Sequence, residues 1–164
     1  MRASVRVTVI ILFSCLTLGG YSQKTKTPVK TIASVLEQTT ETTQFYSCFK
    51  KEQITGSLLN EKSYTIFAPA NNALDNATVQ GAENWCGAFI AEGNFDLNTI
   101  LEQVRANNWK APIVTRNGST ITASVENGQV KLTDEKGNST RIIKYNLQAA
   151  NGIVHVIDRA LQLK

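Results

Sequence analysis

Two Asn-Gly dipeptides ten residues apart, Asn117-Gly118 and Asn127-Gly128, constrain this chain more than any other feature of it. Each separates runs in which apolar and polar residues alternate, as in "STITASVE" and "QVKLTD". Asn and Gly tolerate the positive φ angles of tight hairpin turns, and alternation with a period of two is the mark of a half-buried strand. A third turn is marked by "EKGN", Glu135 to Asn138, and two further strand-like runs follow, "STRIIKYNLQA" and "GIVHVIDRAL". The C-terminal half is therefore expected to be mostly antiparallel sheet.

The N-terminal part obeys a different period. Ile32, Val35 and Leu36 recur at helical spacing with Thr31 available as a cap, Phe45, Cys48 and Phe49 repeat it, and Ile54, Leu58 and Leu59 follow before Asn60. These residues predict three short amphipathic helices. "SYTIFAP" breaks the pattern with strand formers stopped at Pro69, which lacks an N–H for a ladder. Asn71 then offers an N-cap for a short helix carrying Ala73 and Leu74. From Asn76 to Pro112 only "FDLNTILEQVRANNW" has a helical face, formed by Leu97, Ile100, Leu101 and Val104, with loop expected around it. Helices first and a sheet later, without βαβ alternation, give an α+β fold, and 164 residues with 42% hydrophobic and 18% charged side chains suit one folded domain.

The first 22 residues read as an export signal. Arg2 and Arg6 precede the apolar run "VTVIILFSCLTL", which is too short to span a bilayer permanently, and Gly20 and Ser22 supply small residues for cleavage. "LFSC" also resembles a lipobox, so acylation at Cys15 stands as the rival to cleavage before Gln23. Residues 23–29 form a polar tether and the domain occupies 30–164. Loss of Arg2 and Arg6 leaves 15 cations against 13 acids, and no run of Lys and Arg tracks a phosphate backbone, so nucleic acid is not expected as a partner. Cys48 and Cys86 remain. In an oxidising compartment they are expected to pair, the alternative being two buried thiols.

Candidate chemistry is sparse. His155 is the single histidine, and no G-x-S-x-G elbow, Walker sequence, dinucleotide fingerprint or EF-hand loop accompanies it. Two Cys and one His fall one ligand short of a tetrahedral zinc site, so neither metal nor cofactor is expected. On the alternating strand His155 shares a face with Ile153 and Ile157, while Val154, Val156 and Asp158 take the other. A strand apolar on both faces is buried, and a histidine there is expected to be a core residue with its ring nitrogens satisfied. Asp158 is expected to tie the corner after the strand, and Asp134 and Glu135 to be solvated turn charges. Asn76, Asn117 and Asn138 begin Asn-x-Ser/Thr sequons, of which Asn117 is better explained by its turn.

Two stretches together resemble the fasciclin (FAS1) family. "YTIFAPANNAL" is similar to its first signature block at Thr65, Phe67, Ala68, Pro69, Asn71 or Asn72, and Ala73. "NGIVHVIDRAL" is similar to its second at Asn151, Gly152, His155, Val156, Ile157 and Asp158. The resemblance implies a wedge of two β-sheets with helices along one side and a noncatalytic module of exported or bacterial surface proteins. The implied partners are surface or matrix proteins, polysaccharide or a second copy. The family's Tyr-His pair has no counterpart in "ILEQVRANNWKAPIV", Ile100 to Val114, so integrin-type binding does not carry over. A periplasmic or secreted protein binding a small ligand or lipid is the alternative, and a hydrolase built on His155 a distant third.

Overall fold

The computed structural model describes residues 30–58, 62–75 and 85–162. The signal at 1–22, the tether at 23–29, Leu59 and the sequon at Asn76 lie outside them. The strands in chain order are β1 (Tyr64–Pro69), β2 (Ile90–Glu92), β3 (Lys110–Val114), β4 (Thr120–Glu126), β5 (Gln129–Thr133), β6 (Ser139–Ala149) and β7 (Gly152–Ile157). They make one mixed sheet in the order β2-β1-β7-β6-β5-β4-β3.

Long β6 turns the corner of this sheet. Its first residues, Ser139 to Arg141, pair with β5, and Ile142 onward pairs with β7 through register shifts between Ile142 and Lys144 and between Lys144 and Leu147. Bulges bend a strand and increase its twist, so the two sheets of the expected wedge are two halves of one sheet that share β6. The free edges nearly meet: Ala91 bridges Thr115, and the Arg116 N–H donates to the Ile90 carbonyl at 2.7 Å. The fold is an α+β half-closed barrel.

At its centre β1 and β7 run parallel in register from Tyr64 opposite Gly152 to Pro69 opposite Ile157. Every residue of both strands is buried. A parallel pair needs a long crossover, and here all the other strands lie between the two partners in sequence. Local alternation therefore revealed the strands but not this pairing.

The helices cover the sheet with the faces their spacing dictates. Helix α1 (Ile32–Gln38) is capped by Thr31, whose Oγ1 accepts the Ser34 N–H, and buries Ile32, Val35 and Leu36 against β6 and β7. Helix α2 (Thr43–Lys51) buries Phe45 and Phe49, and the third helix, α3 (Ile54–Ser57), is a single turn. Helix α4 is Asn71–Leu74. Helix α5 (Leu97–Ala106) starts at Asp96, whose Oδ1 accepts the Thr99 N–H at 2.6 Å, and packs Ile100 and Val104 toward β3 and β4.

Several local expectations are corrected. Asn71 does not cap α4, whose N-cap is Ala70. Its Oδ1 instead accepts the Gln44 N–H at 3.0 Å and the Thr43 hydroxyl, while its Nδ2 donates to the Thr40 carbonyl, so it serves the start of α2 from across the fold. Strand β2 and the 3-10 turn Trp85–Phe89 lie where loop was expected. Three residues are too few to show a period, and Trp85 and Phe89 are held by edge-on contacts to Phe45, distant in sequence. Asn127 and Gly128 both take positive φ, as a two-residue hairpin requires, but at the other dipeptide only Gly118 does. There Thr115 and Ser119 enclose a three-residue loop in which Gly118 supplies the left-handed position.

Asp134 is not a solvated turn charge either, whereas Glu135 is exposed as expected. Asp134 is buried and accepts from the backbone N–H groups of Lys136, Asn138 and Gln162 and from the Asn138 side chain. Burial alone would raise its pKa, yet these donors outweigh it and hold the carboxyl below its usual range. Glu135 accepts the Thr120 N–H.

Candidate functional site

The candidate residues of the two signature stretches meet on the β1–β7 pair. Parallel register sets Phe67 opposite His155, and the two rings stack with centroids 5.6 Å apart and planes 15° from parallel. The imidazole is fully buried. Its Nε2 lies 2.8 Å from the Phe95 carbonyl, so Nε2–H donates there, and Nδ1 accepts the Asn146 N–H at 3.4 Å. Both nitrogens are thus engaged by backbone. Burial pushes the pKa of His155 down, against smaller upward effects of Phe95 and Asp96. A neutral ring with its base nitrogen facing a main-chain N–H has no lone pair left for a substrate proton.

The neighbouring signature residues are engaged in the same way. Thr65 Oγ1 donates to the Gly93 carbonyl at 2.8 Å and accepts the Phe95 N–H, fixing the loop that in turn meets His155. Asn151 Oδ1 accepts the Ile32 N–H and its Nδ2 donates to the Leu58 carbonyl, joining two helices to the start of β7. Asp158 Oδ1 accepts both the Thr140 hydroxyl and the Arg141 N–H at 2.9 Å, closing the corner between β6 and β7. Gly152, at φ +149°, lies so close to β1 that a side chain would meet the Tyr64 backbone. Ala68 and Pro69 are buried in β1, and Asn72 alone of this set is exposed.

Two supports of His155 escaped the sequence reading. Asn146 sits in the irregular part of β6 at φ +57°, offering its N–H to the ring and its Oδ1 to the Leu97 N–H. Phe95 contributes a carbonyl, which every residue possesses. An Asn in a strand, where that residue type is depleted, is the one signal that pointed to the irregularity.

Cys48 and Cys86 form a disulfide, with Cα atoms 6.4 Å apart and a sequence separation of 38. Beside it, Glu52 Oε1 accepts the Cys86 N–H at 3.3 Å, and burial raises the pKa of this carboxyl despite that bond. Cys48, Glu52 and Cys86 offer ligand atoms within 4.8 Å of one another. The two sulfurs are bonded to each other, however, and a metal needs thiolates.

The surface carries open grooves. One of about 510 Å³ runs along the barrel seam between Lys62, Tyr64, Glu92, Val114 and Arg116. A neighbouring one of about 310 Å³ is lined by Glu52, Gln53, Ser57, Arg116 and Asn117. Arg116 donates to Ser57 between them. Both grooves mix polar and apolar lining, the second including Ile54, and both lie open to solvent, unlike the enclosed apolar cavity that a lipid pocket requires. Of the sequons described, Asn117 has its Oδ1 in its own turn and Asn138 has its amide on Asp134. No helix among the described residues is long and apolar enough to cross a membrane.

The architecture is similar to that of a solved FAS1 domain pair from the insect cell adhesion molecule fasciclin I. The TM-score is 0.57 at 20% sequence identity, and the match covers 73% of this chain and 44% of that one. This chain therefore spans less than half of that structure. Fasciclin domains are typically extracellular, mediate protein interactions and are associated with cell adhesion in homologues. The fasciclin-domain family model matches residues 40–163, a span that begins just after α1 and runs through both signature stretches, and this chain belongs to the fasciclin domain family.

Proposed function

We propose that this chain is an exported, noncatalytic interaction module that acts at a cell surface or in the extracellular space by binding protein or glycan. One observation carries the reading. The polar signature residues Thr65, Asn151, His155 and Asp158 direct their hydrogen bonds to backbone and side chains within the fold. They maintain a scaffold, and a partner meets the outer face of the sheet, the seam grooves and the loops. The export signal at 1–22, with cleavage before Gln23 or acylation at Cys15, and the disulfide expected of an oxidising compartment support the same setting.

The test is attachment. Surfaces coated with the purified protein are expected to retain cells or extracellular polymer above the level of an uncoated control, and a strain lacking the protein is expected to attach or aggregate less. Equal retention on coated and control surfaces, together with unchanged attachment of the deficient strain, contradicts the reading. Hydrolysis of an ester, peptide or glycosidic probe that is abolished by His155→Gln in a folded variant contradicts its noncatalytic part.

A further inference from the structure

Three cations, Lys110, Lys131 and Arg141, are brought together by the register of the sheet. Lys110 pairs with Ser124, Ser124 with Lys131, and Lys131 with Arg141, so one row crosses β3, β4, β5 and β6. Directly paired residues share a face, and neighbouring strands lie about 4.8 Å apart, which gives the row a length of roughly 14 Å. Arg159 stands at its far end. With Lys131, Arg141 and Ser139 it lines a shallow cleft of about 210 Å³ that also holds Glu126 and Asp158.

The cations are not all neutralised. Lys131 is paired to Glu126 at 3.1 Å, and the Asp158 Oδ1 is occupied by Thr140 and the Arg141 backbone. The side chains of Lys110, Arg141 and Arg159 have no hydrogen-bonding or ionic partner among the described residues. The adjacent row of the same face is hydroxylic, with Thr122 opposite Thr133 and Thr133 opposite Ser139.

The near end of the row is strained. Asn108 and Trp109 both have positive φ, 51° and 66°, in the turn that the Lys110 N–H closes on the Asn107 carbonyl. Asparagine accepts that conformation readily, but tryptophan does not. Nor is the indole stabilised by burial, being 65% exposed. A bulky residue held in a costly backbone state, without a core to reward it, points to use at the surface.

We propose that the outer face of β3–β6 binds an anionic polysaccharide, carrying carboxylate or sulfate groups, along the line Trp109–Lys110–Lys131–Arg141–Arg159. The inference rests on the interaction-module reading and names its partner. Spaced cations match charges repeated along an extended sugar chain, the hydroxyl row suits its hydroxyl groups, and an exposed indole is a platform for the apolar face of a ring. A protein partner is favoured by a desolvated aromatic or aliphatic centre, whereas the middle of this face is Ser, Thr and Lys. The row was invisible as a charge cluster because β-register, not sequence proximity, assembles it.

The experiment measures binding of the purified protein to polygalacturonate, dextran sulfate, neutral dextran, poly-glutamate, duplex DNA and phosphatidylserine vesicles across a salt series. Binding to at least one of the two anionic polysaccharides, weakening as salt rises, with none to neutral dextran, is expected. Lys110→Gln with Arg141→Gln should weaken it at least tenfold, and Trp109→Ala severalfold. Glu126→Gln, which releases Lys131, should strengthen it. Circular dichroism establishes that each variant is folded.

Absence of binding to both anionic polysaccharides at low salt overturns the proposal. So does binding indifferent to these substitutions, or equal affinity for poly-glutamate, DNA or vesicles. If the coated protein still retains cells while no polysaccharide binds, the glycan proposal fails and the broader interaction reading stands. If it neither retains cells nor binds any probe, both fail.

Discussion

Replacing Gly152 by alanine probes the junction on which both signature stretches depend. A Cβ there would lie 1.9 Å from the Tyr64 carbonyl oxygen, 2.8 Å from its carbonyl carbon and 2.9 Å from its nitrogen. Carbon and carbonyl oxygen in contact stand about 3.3 Å apart, so one partner must move by about 1.4 Å. That partner is backbone and is held on two sides: Tyr64 pairs with Gly152 on β7 and with Glu92 on β2, and its N–H donates to the Asn151 carbonyl at 3.1 Å. Strain at φ +149°, lost ladder bonds and loosened packing together are expected to cost about 4 kcal/mol. That is a large share of a domain's whole stability. Gly118→Ala is the control, since φ is +83° there but no atom lies within 4 Å of the added carbon. It isolates the backbone penalty, about 1 kcal/mol. In urea unfolding Gly152→Ala should lower the midpoint by about 2 M, and Gly118→Ala by about a quarter of that. Equal midpoints for the two variants, or a Gly152→Ala midpoint matching the parent, would refute the close-approach argument.

Other consequences are equally direct. Replacing Cys48 and Cys86 with alanine opens a loop with a sequence separation of 38 residues, at a cost of about 4 kcal/mol on the chain-entropy estimate; denaturation of the variant against the oxidised parent measures it, and equal stability contradicts it. The depressed pKa of His155 makes stability flat above about pH 6.5 and falling as pH drops below it, because the unfolded ring takes a proton that the buried ring resists. His155→Gln should remove that part of the slope, which stability curves from pH 7.5 to 5 will show. Asp134→Ala strips four donors of their acceptor and should cost about 3 kcal/mol, measured by thermal or urea unfolding. Its lowered pKa places its own pH-dependent loss below about pH 4, separate from that of His155.

Elements with several residues of their own period were legible in the sequence. The helix at Leu97–Ala106 and the β4–β5 hairpin carry pattern, cap or turn residues locally. What eluded reading was set by distant contacts. Asn71 looks like a cap for the helix it begins, but Thr43 and Gln44, far behind it in the chain, take its carbonyl. Asp134 looks like a turn charge until the chain returns at Gln162 to donate to it. The surroundings of His155 follow the same logic. Alternation predicted burial, while the two atoms that engage its nitrogens are main-chain groups of Asn146 and Phe95 and leave little mark in the sequence. The cationic face is a product of register and has no local signature.

The central claim is that the signature residues hold the shape and the surface does the binding. It is tested most directly by comparing His155→Gln with the parent protein in two assays under conditions where both are folded: thermal unfolding, and retention of cells or polymer on a coated surface. The expected result is a lower melting temperature with retention unchanged. Retention lost while the melting temperature stays at the parent value would contradict the claim and return His155 to the site of function.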